Sequence, residues 1–294
     1  MAFRRSPKIR GSLRGVVIFG CILAVIVTAA LSFRYLHAGA DRDYLEIRFL
    51  DVGQADSALI QCKDGTVLID TGYRDSGAYL GNVLQECGNQ ISCLILTHPH
   101  GDHIGGALYV LEHCDVEMVI LPTIPGEDAR YEAILEEIAE QNIPARTMSP
   151  GEGFTVGRTR FTFLAPLKEY TEENDNSYVI RLDYGEISVL FTGDAEAESE
   201  RDQVKLYGSA EGGYLDVDIL KVGHHGSASS TTDTYLAAVT PTYAVICCGA
   251  DNDYGHPHRE VTLRLNQAGI LTLRTDLAGN VVFRTNGETI ELIP

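Results

Sequence analysis

Apolar and polar positions follow two different regimes along this chain. Near the N-terminus, Val16 to Phe33 reads VVIFGCILAVIVTAALSF, eighteen residues without a charge. As a helix that run is about 27 Å long, enough to cross a bilayer core. Beyond residue 44 the apolar residues come in short bursts broken by Gly, Asp and Asn. Glu46–Leu50, Ala58–Gln61 and Thr66–Ile69 predict strands. Cys93–Thr97 and Val116–Leu121 are continuous apolar runs, the pattern of strands covered on both faces. Helices are predicted over Ala78–Cys87, Ile104–Glu112 and Glu127–Gln141, the last with Ile134, Leu135 and Ile138 as its apolar stripe. Phe161–Leu164, Tyr178–Leu182 and Ile187–Phe191 predict strands of a second sheet. Helix Ala195–Leu206, strand Val217–Lys221, helix Asp233–Val239, strand Tyr243–Cys247 and helix Arg259–Ala268 follow. Strands Leu271–Arg274 and Val281–Arg284 complete the pattern. Two runs of strands interleaved with helices predict an α/β fold, two packed sheets covered by helices.

Charge divides the chain at the same place. Residues 1–40 hold six basic side chains and no acid, and the rest holds 17 basic against 41 acidic residues, a net of −24. Basic residues crowd ahead of the apolar run and only Arg34 closely follows it, which predicts a cytoplasmic N-terminus and an exported body. The expected organisation is a basic N-terminus (1–15), a transmembrane anchor (16–33), a linker (34–44) and one catalytic domain (45–294). The rival is a secreted form cleaved after the small-x-small run Ala38-Gly39-Ala40. So acidic a body excludes a nucleic-acid binder that works through a broad basic face. Its six cysteines contain no C-x-x-C pair, which argues against a cysteine zinc site. They read as small buried hydrophobes or as disulfide partners, with Cys247 and Cys248 pointing to opposite faces of a strand.

The chemistry is concentrated in histidine. Seven of the nine histidines fall in three short clusters. In Thr97-His98-Pro99-His100-Gly101-Asp102-His103, an extended backbone points His98 and His100 the same way. Asp102 and His103, at the turn into the following helix, can face a second centre. Imidazole and carboxylate are ligands for zinc and similar divalent ions. Asp194 ends the strand Ile187–Phe191, where it can bind metal or cap a helix. Lys221-Val222-Gly223-His224-His225-Gly226-Ser227 and Tyr254-Gly255-His256-Pro257-His258 follow two further strands. One of His224 and His225 completes the second centre. His224 is preferred, leaving His225 for substrate or a supporting hydrogen bond.

HPHGDH matches the HxHxDH signature of the metallo-β-lactamase superfamily. FLDVGQADSALI, LIDTG, NDNSYVIRLDYGEISVLFTGD, LKVGHHGS and YGHPH resemble the hydrolase domain of ComEC-type competence proteins, without their multi-span channel region. The resemblance covers Ile47 to Ile293. It implies a four-layer αββα sandwich and two divalent metal ions, Zn²⁺ or Mn²⁺. His98, His100, Asp102, His103, Asp194 and His224 would be the ligands. Asp102, His225 and His256 are the catalytic candidates, and His225, Ser227, His256, His258 and Asn176 the substrate contacts. Asp56 and Asp70 would stand behind the ligands. Many superfamily members carry a further His ligand between HxHxDH and the bridging Asp. Here the stretch Asn174-Asp175-Asn176-Ser177 stands in its place, and His113, the only His in that interval, is expected far from the site. The expected reaction is phosphodiester hydrolysis by a metal-activated water. The substrate carries phosphate and includes single-stranded nucleic acid without tight binding. A small phosphoester of phosphocholine type and a non-catalytic surface-binding module are the alternatives.

Overall fold

The computed structural model describes residues 44–208 and 213–294. The anchor expected over 16–33, the basic N-terminus and the Ala40 cleavage site lie outside the described residues. Among the described residues, no helix is long and apolar enough to cross a membrane.

The chain runs β1 (Leu45–Phe49), β2 (Ala58–Cys62), β3 (Gly65–Ile69), α1 (Gly77–Gln85), β4 (Gln90–Ile91), β5 (Cys93–Ile95), α2 (Gly101–Ile104), α3 (Ala107–His113), β6 (Asp115–Val116), β7 (Val119–Ile120), α4 (Ala129–Glu140) and β8 (Ala145–Arg146). It continues through β9 (Gly153–Val156), β10 (Thr159–Ala165), β11 (Val179–Tyr184), β12 (Ile187–Phe191), α5 (Ala197–Tyr207), β13 (Ile219–Lys221), α6 (Asp233–Val239), β14 (Tyr243–Ile246), α7 (Arg259–Gln267), β15 (Leu271–Arg274), α8 (Thr275–Ala278), β16 (Val281–Thr285) and β17 (Ile290–Ile293). One sheet has the order β17-β16-β1-β2-β3-β5-β7-β8, the other β15-β14-β13-β12-β11-β10-β9.

The continuous apolar runs are explained by what covers each face. In β3, Val67 and Ile69 join the core between the sheets, while Leu68 joins the core under α1, α3 and α4. In β12, Val189 and Phe191 face the inter-sheet core and Leu190 faces the outer layer with α6 and α7. Phe49, Phe161, Phe163, Tyr178, Phe191 and Phe283 fill the seam. The layers are therefore helix, sheet, sheet, helix. Cys247 lies in the inter-sheet core and Cys248 in the outer one, on opposite faces as the alternation requires.

Two expectations shift in detail. The apolar stripe of α4 is Tyr131, Ile134 and Ile138, and Leu135 is 38% exposed, because it stands one helical step round from Ile134. The helix expected from Ile104 begins at Gly101, so Asp102 and His103 sit inside a short helix.

Candidate metal centre

Both sheets run parallel strands toward one end. β3, β5, β7 and β8 are mutually parallel in the first sheet, and β12 to β15 in the second. The carboxyl ends of such strands are where α/β folds build sites. Asp70 follows β3, His98 to His103 follow β5, Asp194 follows β12, His224 and His225 follow β13, and His256 and His258 follow β14. Asp56 comes from the loop between β1 and β2.

Asp102, His103, Asp194 and His225 each offer a ligand atom, and all four atoms lie within 4.8 Å of one another. His103 Nε2 is 3.3 Å from Asp194 Oδ1, and His225 Nε2 is 3.3 Å from Asp102 Oδ2 and 3.5 Å from Asp194 Oδ2. The sequence reading preferred His224 for this group; the structure puts His225 there instead. Both histidines adopt left-handed backbone, φ 47° and 52°. That geometry turns His225 inward, where it is 2% exposed, and leaves the His224 side chain 23% exposed. Also near Asp194 Oδ2 lie His98 Nε2 at 3.9 Å and His224 Nε2 at 3.7 Å. His100 Nε2 turns instead to Glu173 Oε2, 3.1 Å away.

The hydrogen bonds behind each ring divide the histidines into two classes. His103 Nδ1 donates to Asp70 Oδ2 at 2.8 Å, and His225 Nδ1 to the Cys247 carbonyl at 2.9 Å. Thr97 Oγ1 donates to Asp70, which leaves it to accept from His98 Nδ1. In each case Nδ1 is the proton-bearing nitrogen of the neutral ring, which leaves Nε2 as the atom a metal would bind. His256 and His258 are the reverse. Ala228 N–H donates to His258 Nδ1 at 2.8 Å. Gln54 Oε1 accepts from Gly249 N–H, so its amide Nε2 is the donor to His256 Nδ1. Both rings therefore carry their proton on Nε2 and present a hydrogen-bond donor.

Electrostatics agree with a site built for cations. Burial disfavours charge on His225, yet Asp194 and Asp56 overcome it and raise this imidazole to about 10. His103 is likewise raised against its burial by Asp194 and Asp70. Asp194 is held well below the carboxylate range despite burial, by the charges of His103 and His225. His98 is lowered by burial and by His103. His98 Nε2, His103 Nε2, His225 Nε2 and Asp194 Oδ1 are buried without a hydrogen-bond partner. Each such atom costs about 1–3 kcal/mol unless something binds it. They approach one another without hydrogen-bond alignment, which suits a shared ion. The nitrogen and carboxylate donors fit divalent metal ions.

Other expected residues take different places. Asp70 accepts from Thr97 and from His103, on the side of the His103 ring away from Asp194. Asp56 lies 3.3 Å from His225 Nδ1 and pairs with the ammonium of Lys221. Asn176 is corrected: its amide donates to the Tyr170 and Glu172 carbonyls and its oxygen accepts from Tyr170 N–H. Both ends of the Asn176 side-chain amide brace its own loop, which leaves neither directed at a substrate. Ser227 Oγ is within 2.9 Å of Ser229 Oγ, and both lie at the His224 side. His113 stacks on Tyr109 at the end of α3, away from the cluster as expected.

Sequence reading gives Gln54 a place in the site loop but no role, and it does not point to Lys221, Glu196 or Glu173. Lys221 Nζ is buried, donates to the Gly193 carbonyl at 3.0 Å and sits 3.9 Å from Asp194 Oδ1. A lysine ending a run of buried residues was the available signal. Glu173 and Glu196 gave none, being two acids among many. Tyr254 was passed over too; it is 62% exposed and stacks on His256 at 5.7 Å.

Comparison with known proteins places this geometry. The sequence profile of the metallo-beta-lactamase superfamily matches residues 50–250. ComE operon protein 3 of Bacillus subtilis is 30% identical over 259 residues, which cover 81% of this chain and 33% of that protein. Recombination protein 2 of Haemophilus influenzae is 31% identical over 242 residues, covering 80% of this chain and 28% of its own. The chain thus spans about a third of the length of the curated relatives it matches. Among solved structures, CmlA of Streptomyces venezuelae, a diiron beta-hydroxylase, superposes with a TM-score of 0.55 at 15% identity, over 82% of this chain and 54% of that one. At that identity the likeness is one of fold.

Proposed function

Because the chain belongs to the metallo-beta-lactamase superfamily, we propose that it is a metal-dependent hydrolase of phosphodiester bonds. Two divalent ions, Zn²⁺ by preference or Mn²⁺, would supply a hydroxide nucleophile near neutral pH and Lewis acidity toward the phosphate. Asp102, His103, Asp194 and His225 would hold one ion, and His98, His100 and Asp194 the other. Asp70 and the Cys247 carbonyl keep His103 and His225 in the tautomer that ligates.

The observation that carries the phosphodiester reading is the pair of Nε2–H donors beside the cluster. The His256 ring lies 5.5 Å from that of His224 and 6.4 Å from that of His225, and 4.8 Å from that of His258. Burial and the neighbouring imidazoles push His256 down to about 4, so it is neutral at pH 7. A neutral donor holds a leaving oxygen by hydrogen bond rather than by full proton transfer. The donor also suits a non-bridging phosphate oxygen. Single-stranded nucleic acid is the substrate class this reading takes first, bound briefly. The apolar run Val16–Phe33 with its preceding basic residues supports a membrane-tethered, extracytoplasmic domain.

The test is hydrolysis of bis-(p-nitrophenyl) phosphate and of a single-stranded oligonucleotide, set against a β-lactam. Phosphodiester turnover that chelator abolishes and Zn²⁺ or Mn²⁺ restores is expected. Asp194→Ala should lose both metal and activity. Turnover of the β-lactam alone, or full activity in Asp194→Ala, would refute the reading.

A further inference from the structure

We infer that the loop after β13 supplies one imidazole to each metal centre: His225 to the second and His224 to the first. The inference rests on the metal-binding part of the proposed function and not on its substrate. The first centre is short of donors. His98 and Asp194 reach it, His100 is drawn toward Glu173, and the stretch Asn174–Ser177 carries no imidazole.

His224 shares two properties with the histidines already described and a third with His225 alone. Its Nε2 lies 3.7 Å from Asp194 Oδ2, close to the 3.5 Å of His225 Nε2 from the same oxygen. The two rings stand 6.1 Å apart at 67°. They therefore flank one carboxylate oxygen from two directions. The Nδ1 of His224 is 3.0 Å from Glu196 Oε1, an acceptor that fixes the proton there and frees Nε2. The third property is backbone placement. Two consecutive non-glycine residues in the left-handed region are unfavourable, and they persist only where the surroundings hold them. Here His224 N–H donates to the Gly193 carbonyl at 3.1 Å and Gly223 N–H to Thr231 Oγ1 at 3.2 Å. The first of these ties His224 directly to the turn that carries Asp194.

Asn174 then acquires a role. Its amide donates to Glu196 Oε1 at 3.1 Å, the same oxygen that orients His224. The segment lacking an imidazole thus steadies one that comes from another loop.

Cobalt(II) substitution of the full-length protein tests this. Wild type should take up two equivalents. His224→Ala should keep one at wild-type affinity and bind the other more than about 100-fold more weakly, beyond the 10–100-fold that loss of an outer hydrogen-bond partner costs. Glu196→Gln should weaken that same equivalent, and His225→Ala the other one. His224→Cys should add a cobalt–thiolate charge-transfer band that wild type lacks, which a merely structural role would not produce. Wild-type titration by His224→Ala, or His224→Cys without the band, overturns the inference. So does loss of both ions in a folded His224→Ala, judged by its metal-free melt, because the second centre keeps its own four donors. If wild type binds no metal, the metal-dependent reading fails with it; if wild type binds two and the His224 variants are unaltered, only this inference fails.

Discussion

A ring nitrogen's partner decides what a histidine can do here. At His256 the Gln54 amide occupies Nδ1, so the ring offers a proton-bearing Nε2. His256→Ala should therefore lower kcat about 10²-fold for an oligonucleotide, as removal of one preorganised donor does. It should change little for bis-(p-nitrophenyl) phosphate, whose leaving group needs no help. Equal losses on both substrates would take His256 off the leaving oxygen and assign it to a non-bridging phosphate oxygen or to folding. HxHxDH was legible in the sequence because its two-residue spacing needs only an extended backbone. The choice between His224 and His225 was not, because it depends on φ angles of 47° and 52° that no spacing encodes. Asn176 misled for a related reason: an amide in a site loop looks available until its own backbone is seen to use it.

Two elements hold the motif loops in place. Gly105 breaks the run between α2 and α3, and a Cβ there would meet the Gly101 carbonyl at 2.3 Å and the Arg74 nitrogen at 2.6 Å. Both are backbone and cannot swing away. Gly105→Ala should destabilise the protein by about 1–3 kcal/mol in denaturant titrations and weaken metal uptake at the second centre. On α5, Glu200 is buried and accepts from the backbone N–H groups of Thr231 and Thr232, at the far end of the HHGS loop. Burial raises its carboxyl from 4.5 to about 7. The neutral form's stability advantage is therefore fully present below pH 4.5 and is lost as pH rises through 7. The loss is on the order of 3 kcal/mol. Glu200→Gln should flatten the fall in unfolding free energy between pH 5 and 8; an unchanged slope would place the titration elsewhere. The strands that carry these loops were readable as apolar runs. Strands β9 and β17 were not, since they lie at the sheet edges with much of their length exposed.

Across the whole molecule, charge separates this protein from ordinary nucleic-acid binders. Outside residues 1–40 it carries a net of −24, so a polyanion is repelled except where the proposed metal ions would sit. A basic-face binder loses affinity steeply as salt rises from about 50 to 200 mM. Here the KM for a single-stranded oligonucleotide should stay level or fall over that range. A steep rise would reveal a basic path that the charge balance hides. The four-layer architecture was within reach of the sequence, because runs buried on both faces require cover on both. The strand order was not, for it is set by pairings between distant segments.

One of those pairings bears on how the protein is made. β1 is hydrogen-bonded between β2 and β16, with Leu45 opposite Thr285 and Phe49 opposite Val281. During synthesis the LEIRF segment emerges before its outer partner, which follows only after nearly all of the rest of the fold. Until then one edge of the sheet bearing HPHGDH stays open, the kind of edge that recruits other chains. A ribosome stalled before Val281 would thus leave a nascent chain that has every histidine of the cluster and no closed sheet to hold them.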